Sequence, residues 1–208
     1  MKFIGTKELV TERLVLKKQT MKEQKRLWEI LVMPEVNKYY LVIPKKRKEK
    51  FLDWNIQEEF YNKKVNPENP GEFFQWSIFL KDTDICIGQL SVQESDSSDK
   101  AVRDIGWYID PENHNKGYAT EAAFKVLDYM FNEVYIKKII SSVAIINPAS
   151  WRVMEKLGFV RDKEKTKFVD YTFCDEPVEN YIYELTKEQF LNNCSFSYKL
   201  FIFMYNII

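Results

Sequence analysis

Residues 114–120 read HNKGYAT and place one glycine directly before a run of residues that favours a helix. The first N–H groups of a helix have no intrahelical partner and carry partial positive charge, so they can bind an anion. Gly117, which has no Cβ, would let a phosphate approach them, while Lys116 and Thr120 would add a charge and a hydroxyl. The segment therefore predicts an anion site, although a lone glycine before a helix is also typical of a turn without a ligand.

The residues around Gly117 do not match the common phosphate-binding motifs. A P-loop needs two glycines and a Lys-Ser or Lys-Thr pair before the helix, and a dinucleotide-binding fold needs three glycines. Residues 114–120 contain a single glycine. A phosphate bound here would therefore occupy a different kind of site.

A second segment of interest is residues 147–159, which read NPASWRVMEKLGF. Asn147 is a favourable N-cap and Pro148 a favourable first helical residue, so the segment predicts a helix that needs no ligand. Ser150 would lie in the first turn of that helix. A purely structural role for Asn147 and Ser150 stays open beside any binding role.

Hydrophobic periodicity predicts the elements that position both segments. Strands are predicted at 9–17, 72–80, 85–93, 101–109, 138–146, after 159 and at 178–185, and helices at 21–32, 48–63, 117–134 and 147–156. The order β-αα-βββ-α-β-α-ββ is a mixed α/β (α+β) layout in which helices flank a largely antiparallel central sheet. The glycine loop then joins the fourth predicted strand to the longest helix.

The composition indicates one globular domain and argues against a nucleic-acid partner. The chain has 208 residues, of which 45% are hydrophobic, and its 31 basic residues are balanced by 31 acidic ones. Because the net charge is zero, we expect no nucleic-acid partner. We predict a domain at 1–190 and an apolar tail at 191–208 whose packing stays open, in a monomer or a homodimer.

Cysteine content and hydropathy predict a cytoplasmic protein without a metal site. The three cysteines are far apart and form no CxxC pair, which argues against zinc and against a disulfide framework. Residues 1–14 lack the apolar stretch of a signal peptide, and no window has the roughly 20 apolar residues that span a bilayer. We therefore expect no membrane partner.

The two segments together resemble a known family. DIGWYIDPENHNKGYATEA at 104–122, followed by NPASWRVMEKLGF at 147–159, is similar to the paired signature of the GNAT acetyltransferase superfamily. The similarity is to its Rim-type branch, which includes ribosomal-protein N-terminal acetylases, polyamine acetylases and antibiotic acetylases. The resemblance extends over residues 9–190 and implies the transfer of an acetyl group from acetyl-CoA to a primary amine.

The resemblance also implies which residues bind the coenzyme. The loop and the helix start would hold the pyrophosphate through His114, Asn115, Lys116, Gly117, Tyr118, Ala119 and Thr120. The strands 101–109 and 138–146 would splay apart and leave backbone groups of Trp107, Tyr108 and Ile109 to pair with the pantetheine. Asn147 and Ser150 would also contact the coenzyme, Ser150 near its sulfur. His114 would face solvent or phosphate.

Catalytic residues follow from the same resemblance. Many members place a tyrosine that protonates the leaving thiolate where this chain has Met154, so Ser150 is assigned to hydrogen-bond the thiolate. Asp104 is the first choice for the general base, ahead of Glu94 and Glu121. A backbone N–H near Ile109 is the candidate for stabilising the oxyanion as the amine attacks the thioester directly.

The acceptor amine is less defined. The resemblance implies an entrance between residues 37–47 and 162–177, which carry the aromatic residues Tyr39, Tyr40, Phe168, Tyr171 and Phe173. A peptide N-terminus, an antibiotic and a polyamine stay open as acceptors. Because the tyrosine is missing, a non-catalytic acyl-CoA-binding regulatory module stays open too, as does a protein-interaction domain that uses the aromatic tail.

Overall fold

The computed structural model describes residues 1–2, 4–40, 42–43, 45–58 and 74–193. Within these ranges eight strands form one sheet in the order β1-β2-β3-β4-β5-β6-β8-β7. The strands are β1 (Leu9–Val10), β2 (Leu14–Lys18), β3 (Phe74–Leu80), β4 (Cys86–Glu94), β5 (Val102–Ile109), β6 (Lys138–Ala144), β7 (Val160–Val169) and β8 (Val178–Thr186). The helices are α1 (Met21–Leu31), α2 (Pro34–Asn37), α3 (Lys48–Phe51), α4 (54–58), α5 (Tyr118–Tyr129), α6 (Pro148–Lys156) and α7 (187–193).

The predicted mixed α/β layout is confirmed. Helices flank a sheet in which every neighbouring pair of strands is antiparallel except β5 and β6.

The helix start predicted at Asn147 is also correct, because its side chain accepts a hydrogen bond from the backbone N–H of Ser150 at 3.3 Å. The long helix begins after Gly117 as predicted and ends in one π-helical turn, Met130–Val134.

Two predicted elements are interrupted. The strand predicted at 9–17 is two antiparallel strands, because Thr11 donates its backbone N–H to the carbonyl of Leu14 at 2.9 Å and closes a turn between them. The helix predicted at 48–63 breaks between α3 and α4. The remainder of that prediction, at 59–63, lies outside the described residues, as do residues 72–73 at the start of the strand predicted at 72–80.

The helix α7 is not predicted from the sequence. It spans the predicted domain boundary at residue 190, and Phe190 is buried in the main core against Phe131. The rest of the apolar tail, residues 194–208, lies outside the described part of the chain. None of the helices in the described ranges is long and apolar enough to cross a membrane.

Apolar clusters hold helices on both faces of the sheet. Trp107 and Ile109 of β5 belong to the cluster under α5, whereas Tyr108 between them belongs to the cluster under α1. Successive side chains of a strand point to opposite faces, so α5 and α1 cover opposite sides of the sheet. β5 therefore lies between two layers of helices.

The central feature of the sheet is a split between β5 and β6. These parallel strands pair only at Val102 with Lys138 and at Arg103 with Ile139. Beyond this closed end, β5 continues to pair with β4, and β6 continues to pair with β8. Because β5 and β6 run in the same direction, α5 and α6, which follow them, both begin at the open end of the split.

Alanine substitutions at two glycines, one on β4 and one on β5, test how these paired strands pack beside the split. A methyl group on Gly88 of β4 would overlap the carbonyl oxygen of Tyr108, whereas one on Gly106 of β5 would meet Tyr40 at an ordinary 3.7 Å. We expect Gly88→Ala to lower the free energy of unfolding by about 1–3 kcal/mol through overpacking. Gly106→Ala, the matched control, should unfold at a denaturant concentration equal to or above that of the wild type. Equal midpoints for both variants would contradict the described packing of β4 on β5.

Candidate functional site

The loop between β5 and α5 presents backbone N–H groups that have no partner among the described residues. Asp110 accepts a hydrogen bond from the N–H of Glu112 at 3.1 Å and begins a short 3₁₀ turn. Asn115 and Gly117 then adopt left-handed φ angles of 60° and 81°. In the described part of the chain, the N–H groups of residues 115–117 donate no hydrogen bond, and those of the first helical turn lack intrahelical acceptors. The loop therefore has the donors that an anion needs.

Side chains around the loop are held by specific contacts. The ammonium group of Lys116 donates to the side-chain oxygen of Asn113 at 3.2 Å. Tyr118 lies under the guanidinium of Arg13, which is 4.8 Å from the centre of its ring. Ala119 and Thr120 occupy the first turn of α5. The six consecutive residues 115–120 thus form one continuous stretch of backbone whose side chains are held beside it.

An open groove of about 810 Å³ begins at this loop and follows the outer face of α5. The turn between β1 and β2 borders it on one side, and the end of α6 together with α7 borders it on the other. Its lining is mixed, with the aromatic ring of Phe124 and the ammonium groups of Lys125 and Lys156. The loop is therefore reachable from solvent by an extended ligand.

His114 is exposed to solvent, and its ring also contacts the strand that precedes the loop. Its Nε2 atom lies 2.8 Å from the carbonyl oxygen of Ile109, the last residue of β5. A carbonyl oxygen only accepts hydrogen bonds, so Nε2 is the protonated nitrogen of this contact. The histidine side chain therefore ties the loop to the end of the strand beside the split.

The backbone of β5 alternates between the split and β4. The carbonyl of Ile105 faces the split, where it accepts a hydrogen bond from the hydroxyl of Ser141 at 2.9 Å. Because backbone direction repeats every second residue, Trp107 and Ile109 face the split as well. Tyr108 does not, since its carbonyl oxygen points at Gly88 of β4. The prediction that Tyr108 offers backbone groups to a ligand is therefore wrong, while Trp107 and Ile109 keep that orientation.

The first turn of α6 borders the open end of the split. Asn147 caps this helix, as the structural interpretation of the sequence predicts. The hydroxyl of Ser150 makes no hydrogen bond within the described residues, so it is available to a ligand. Met154, which stands in the position of the missing tyrosine, is only 3% exposed. Its side chain cannot donate a proton, so Ser150 is the hydroxyl group that this turn offers.

Asp104 lies next to the closed end of the split, on the face of the sheet opposite α5. It pairs across the sheet with Gln93 of β4, and its Oδ1 atom is buried without a hydrogen-bond partner among the described residues. Burial raises the pKa of Asp104, and its neighbours Ser141 and Gln93 reverse that rise only in part. A buried carboxyl group with a raised pKa is a good proton acceptor once it is ionised.

Of the two weaker base candidates, Glu121 is engaged by other groups and Glu94 is exposed. Glu121 accepts hydrogen bonds from the hydroxyl of Thr11 at 2.6 Å and from the backbone N–H and Nε of Arg13 at 2.9 and 2.7 Å. Burial alone would raise its pKa, but these bonds outweigh it and lower the pKa. Glu94 is largely exposed beside Arg103. The structure therefore favours Asp104 over both.

Arg13 is the residue of this site that sequence reasoning missed. It begins no recognised motif, and 108 positions separate it from its partner Glu121. Residues 11–14 read TERL, and the only signal was an arginine just before an apolar alternation. Such a pattern does not reveal which distant helix the arginine meets.

The two loops predicted to flank the acceptor are joined to each other. The hydroxyl of Thr172 accepts the backbone N–H of Ile43 at 2.7 Å and lies 2.8 Å from the carbonyl of the same residue. Lys45 forms an ion pair with Asp170 at 3.1 Å. These contacts connect the segment after α2 to the turn between β7 and β8.

The predicted acceptor-site aromatics separate into two groups. Tyr39 contacts Tyr171 edge-on at 6.2 Å between ring centres, and Tyr40 contacts Tyr108 in the same way at 5.1 Å. Phe173 packs against the cluster under α1, where Lys48 lies 4.7 Å from its ring centre. Phe168, by contrast, is 68% exposed on β7, the outermost strand. Tyr40 and Phe173 therefore pack in the cluster that contains Tyr108 of β5, whereas Tyr39 and Tyr171 pack beside Ala144 at the end of β6, and Phe168 belongs to neither group.

Comparison with known proteins gives a family match. The family model described as "Acetyltransferase (GNAT) domain" matches residues 13–160. Among curated relatives, the chain is 29% identical over 154 residues to "Uncharacterized N-acetyltransferase YnaD" of Bacillus subtilis, covering 74% of this chain and 83% of the relative. The matched region contains the loop, both helix starts and the split.

Solved structures give the same result. A GNAT-family acetyltransferase from Bacillus anthracis superposes with a TM-score of 0.69 at 26% identity, covering 87% of this chain and 99% of the other. The spermidine N-acetyltransferase from Vibrio cholerae, solved with CoA and spermine, superposes with a TM-score of 0.72 at 18% identity, covering 87% and 99% of the two chains. The second likeness concerns the fold alone.

The buried carboxyl group makes a testable contribution to stability. Because the pKa of Asp104 is raised in the folded protein, the folded state holds a proton more tightly than the unfolded state does. Ionisation of Asp104 therefore costs stability as the pH rises through the folded-state pKa. We expect Asp104→Asn to melt at a higher temperature than the wild type at pH 7.

The advantage of Asp104→Asn should shrink as the pH falls below the ordinary pKa of an aspartate, because Asp104 is then protonated in both states. Thermal melts from pH 3 to pH 8 measure this difference. Asp99→Asn is the control, since the pKa of that exposed group is lowered by Lys137 and its removal should not stabilise the protein. A constant difference at all pH values would show that the carboxyl group is not strained by burial.

Proposed function

The chain belongs to the GNAT acetyltransferase family and is an N-acetyltransferase that uses acetyl-CoA, and we propose that its acceptor is a primary amine that attacks the thioester directly. The observation that carries this proposal is the split between β5 and β6, with the starts of α5 and α6 at its open end. One open strand edge and two helix starts converge there. This arrangement suits an extended ligand that has amide groups at one end and a diphosphate at the other.

The residues present fit the coenzyme. The free N–H groups of residues 115–120 would hold the diphosphate, with Lys116 and Thr120 beside them. The backbone groups of Trp107, which face the split, would pair with an amide of the pantetheine, and Ile109 would offer its N–H at the acetyl end. Acetyl-CoA, when bound, supplies the acetyl group as a reactive thioester. His114 contributes indirectly, because it occupies the carbonyl of Ile109 and holds the loop against the strand.

The protein side chains would then handle the protons. Asp104 would accept a proton from the attacking amine, either directly or through a water molecule, in its ionised form. The N–H of Ile109 would donate to the oxyanion that forms on the acetyl carbonyl. Ser150 would donate its hydroxyl hydrogen bond to the departing sulfur in place of the tyrosine that Met154 replaces. Each role uses a group whose hydrogen-bonding capacity the described chain leaves available.

The acceptor would enter on the side of the sheet that carries Asp104. The rings of Tyr40 and Tyr171 line this side, beside the joined loops at Ile43 and Thr172. Aromatic walls suit a cationic or apolar amine. We keep a peptide N-terminus, an antibiotic and a polyamine as the classes to compare. The two described cysteines are unpaired, which agrees with the cytoplasmic location we propose.

The function is tested by thiol release from acetyl-CoA with a panel of amines from these three classes. We expect steady release with at least one class. Tight binding of acetyl-CoA without release across the whole panel would favour a non-catalytic regulatory module, the alternative that Met154 raises. Absence of both binding and release would contradict the proposed function altogether.

The role of Ser150 is tested with the same assay. Ser150→Ala should lower kcat about tenfold or more, because the leaving sulfur loses a donor that acts mainly in the transition state. The KM for acetyl-CoA should stay within about threefold of the wild type. Ser97→Ala, the same change in an exposed turn, is the control. If kcat for Ser150→Ala equals that of Ser97→Ala, the hydroxyl takes no part in the reaction.

A further inference from the structure

Arg13 connects the start of β2 to the phosphate-binding loop. Its Nε and Nη2 atoms contact the same carboxylate oxygen of Glu121, at 2.7 and 2.6 Å. Its Nη1 atom donates to the carbonyl of Lys116 at 2.9 Å. Nη2 also lies 3.4 Å from the place a Cβ on Gly117 would occupy. One guanidinium therefore reaches the first turn of α5 and the peptide that precedes it.

The contact with Lys116 determines the direction of the next N–H group. The chain contains no cis peptide bond among the described residues, so the Lys116–Gly117 peptide is trans and planar. In such a peptide the C=O and the N–H point in opposite directions. Because the carbonyl of Lys116 points to Arg13, the N–H of Gly117 points away from Arg13.

The other side of Gly117 is fixed by the helix. Its carbonyl accepts the first hydrogen bond of α5, from the N–H of Glu121 at 3.1 Å. Glu121 is thus held at its backbone by Gly117 and at its side chain by Arg13. A left-handed glycine has wide conformational freedom, and these two bonds on either side remove most of it.

Arg13 also neutralises the negative charge of the Glu121 carboxylate. The side chain of Glu121 is 18% exposed, and it lies in the first turn of the helix that would receive the diphosphate. Without a cationic partner, the carboxylate of Glu121 would repel an anionic ligand at the start of α5, because two charges interact more strongly where they are partly shielded from water. The guanidinium of Arg13 neutralises it.

We propose that Arg13 is a positioning residue for the coenzyme, which orients the Gly117 N–H toward the diphosphate and neutralises Glu121. This role rests on the proposed function of the loop and extends it to a residue of the N-terminal hairpin. Arg13 acts through Lys116 and Glu121 and is not itself a catalytic residue. It serves the diphosphate end of the coenzyme and leaves the reacting end unaffected.

The test compares two acetyl donors, acetyl-CoA and S-acetylpantetheine, which lacks the diphosphate. For Arg13→Gln we expect the KM for acetyl-CoA to rise about tenfold or more, with kcat within about threefold of the wild type. The kcat/KM for S-acetylpantetheine should stay within about twofold. A role limited to stability would lower activity with both donors alike, so the ratio between them separates positioning from folding.

Further variants sharpen the comparison. Arg13→Lys keeps the charge but cannot contact Glu121 and the carbonyl of Lys116 with a planar fork, so its KM should fall between those of Arg13→Gln and the wild type. The double variant Arg13→Gln with Glu121→Gln should bind acetyl-CoA more tightly than Arg13→Gln alone, because the repelling carboxylate is gone. Lys7→Gln is the control, since it breaks a comparable ion pair with Glu133 near the other end of the same helical segment, at 2.6 Å.

The inference and the proposed function fail in different ways. If Arg13→Gln and Lys7→Gln show the same KM for acetyl-CoA, or if Arg13→Gln loses activity equally with both donors, the positioning role is wrong while the enzyme remains an acetyltransferase. If the wild type releases no thiol with any amine, calorimetry with CoA and pantetheine replaces the kinetic assay. Arg13→Gln should then weaken binding of CoA alone, and unchanged binding of both would overturn the inference.

Discussion

The structure depends on a parallel strand pair that is hydrogen-bonded over two residue pairs and then separates. A strand edge inside a sheet must find other partners for its backbone groups, because buried groups without partners are costly. Side chains supply some of them here, since Ser141 occupies the carbonyl of Ile105 and His114 occupies that of Ile109. Trp107 lies between these two positions, where no strand partner is present among the described residues. The split therefore keeps a short stretch of open backbone whose two ends are fixed.

The charged groups of the site follow from the same geometry. Because β5 and β6 are parallel, the helices after them both begin at the open end and bring partial positive charge to one place. Asp104, near the closed end, is largely buried, and its Oδ1 atom has no hydrogen-bond partner among the described residues. That burial reduces stability in the pH range where the carboxylate is ionised, and it is also what makes the group a useful base. Stability is reduced at the position where proton transfer would occur, which is common for catalytic carboxyl groups.

Much of the fold could be predicted from the sequence because its elements have clear periodicity and start signals. Asn147 and Pro148 begin α6 as expected, and Gly117 precedes α5 as expected. The interruption at Thr11 was not predictable, because it depends on a hydrogen bond to Leu14 that apolar alternation does not reveal. The break between α3 and α4 likewise lies within a run that has continuous helical spacing.

The site was less predictable because its details depend on partners distant in the sequence. Whether Tyr108 faces the split or β4 is decided by the register with β4, so the wrong orientation was assigned to it. His114 was expected at solvent or phosphate and is exposed, but the sequence did not reveal that its ring also reaches the carbonyl of Ile109. Asp104 was identified from its motif, whereas its buried, unpaired oxygen required the packed structure. Thr172 and Ile43, which are 129 residues apart, join the loop between β7 and β8 to the segment after α2. Because the amide of Ile43 donates to the hydroxyl of Thr172, its hydrogen exchange reports how often this connection between the two loops opens.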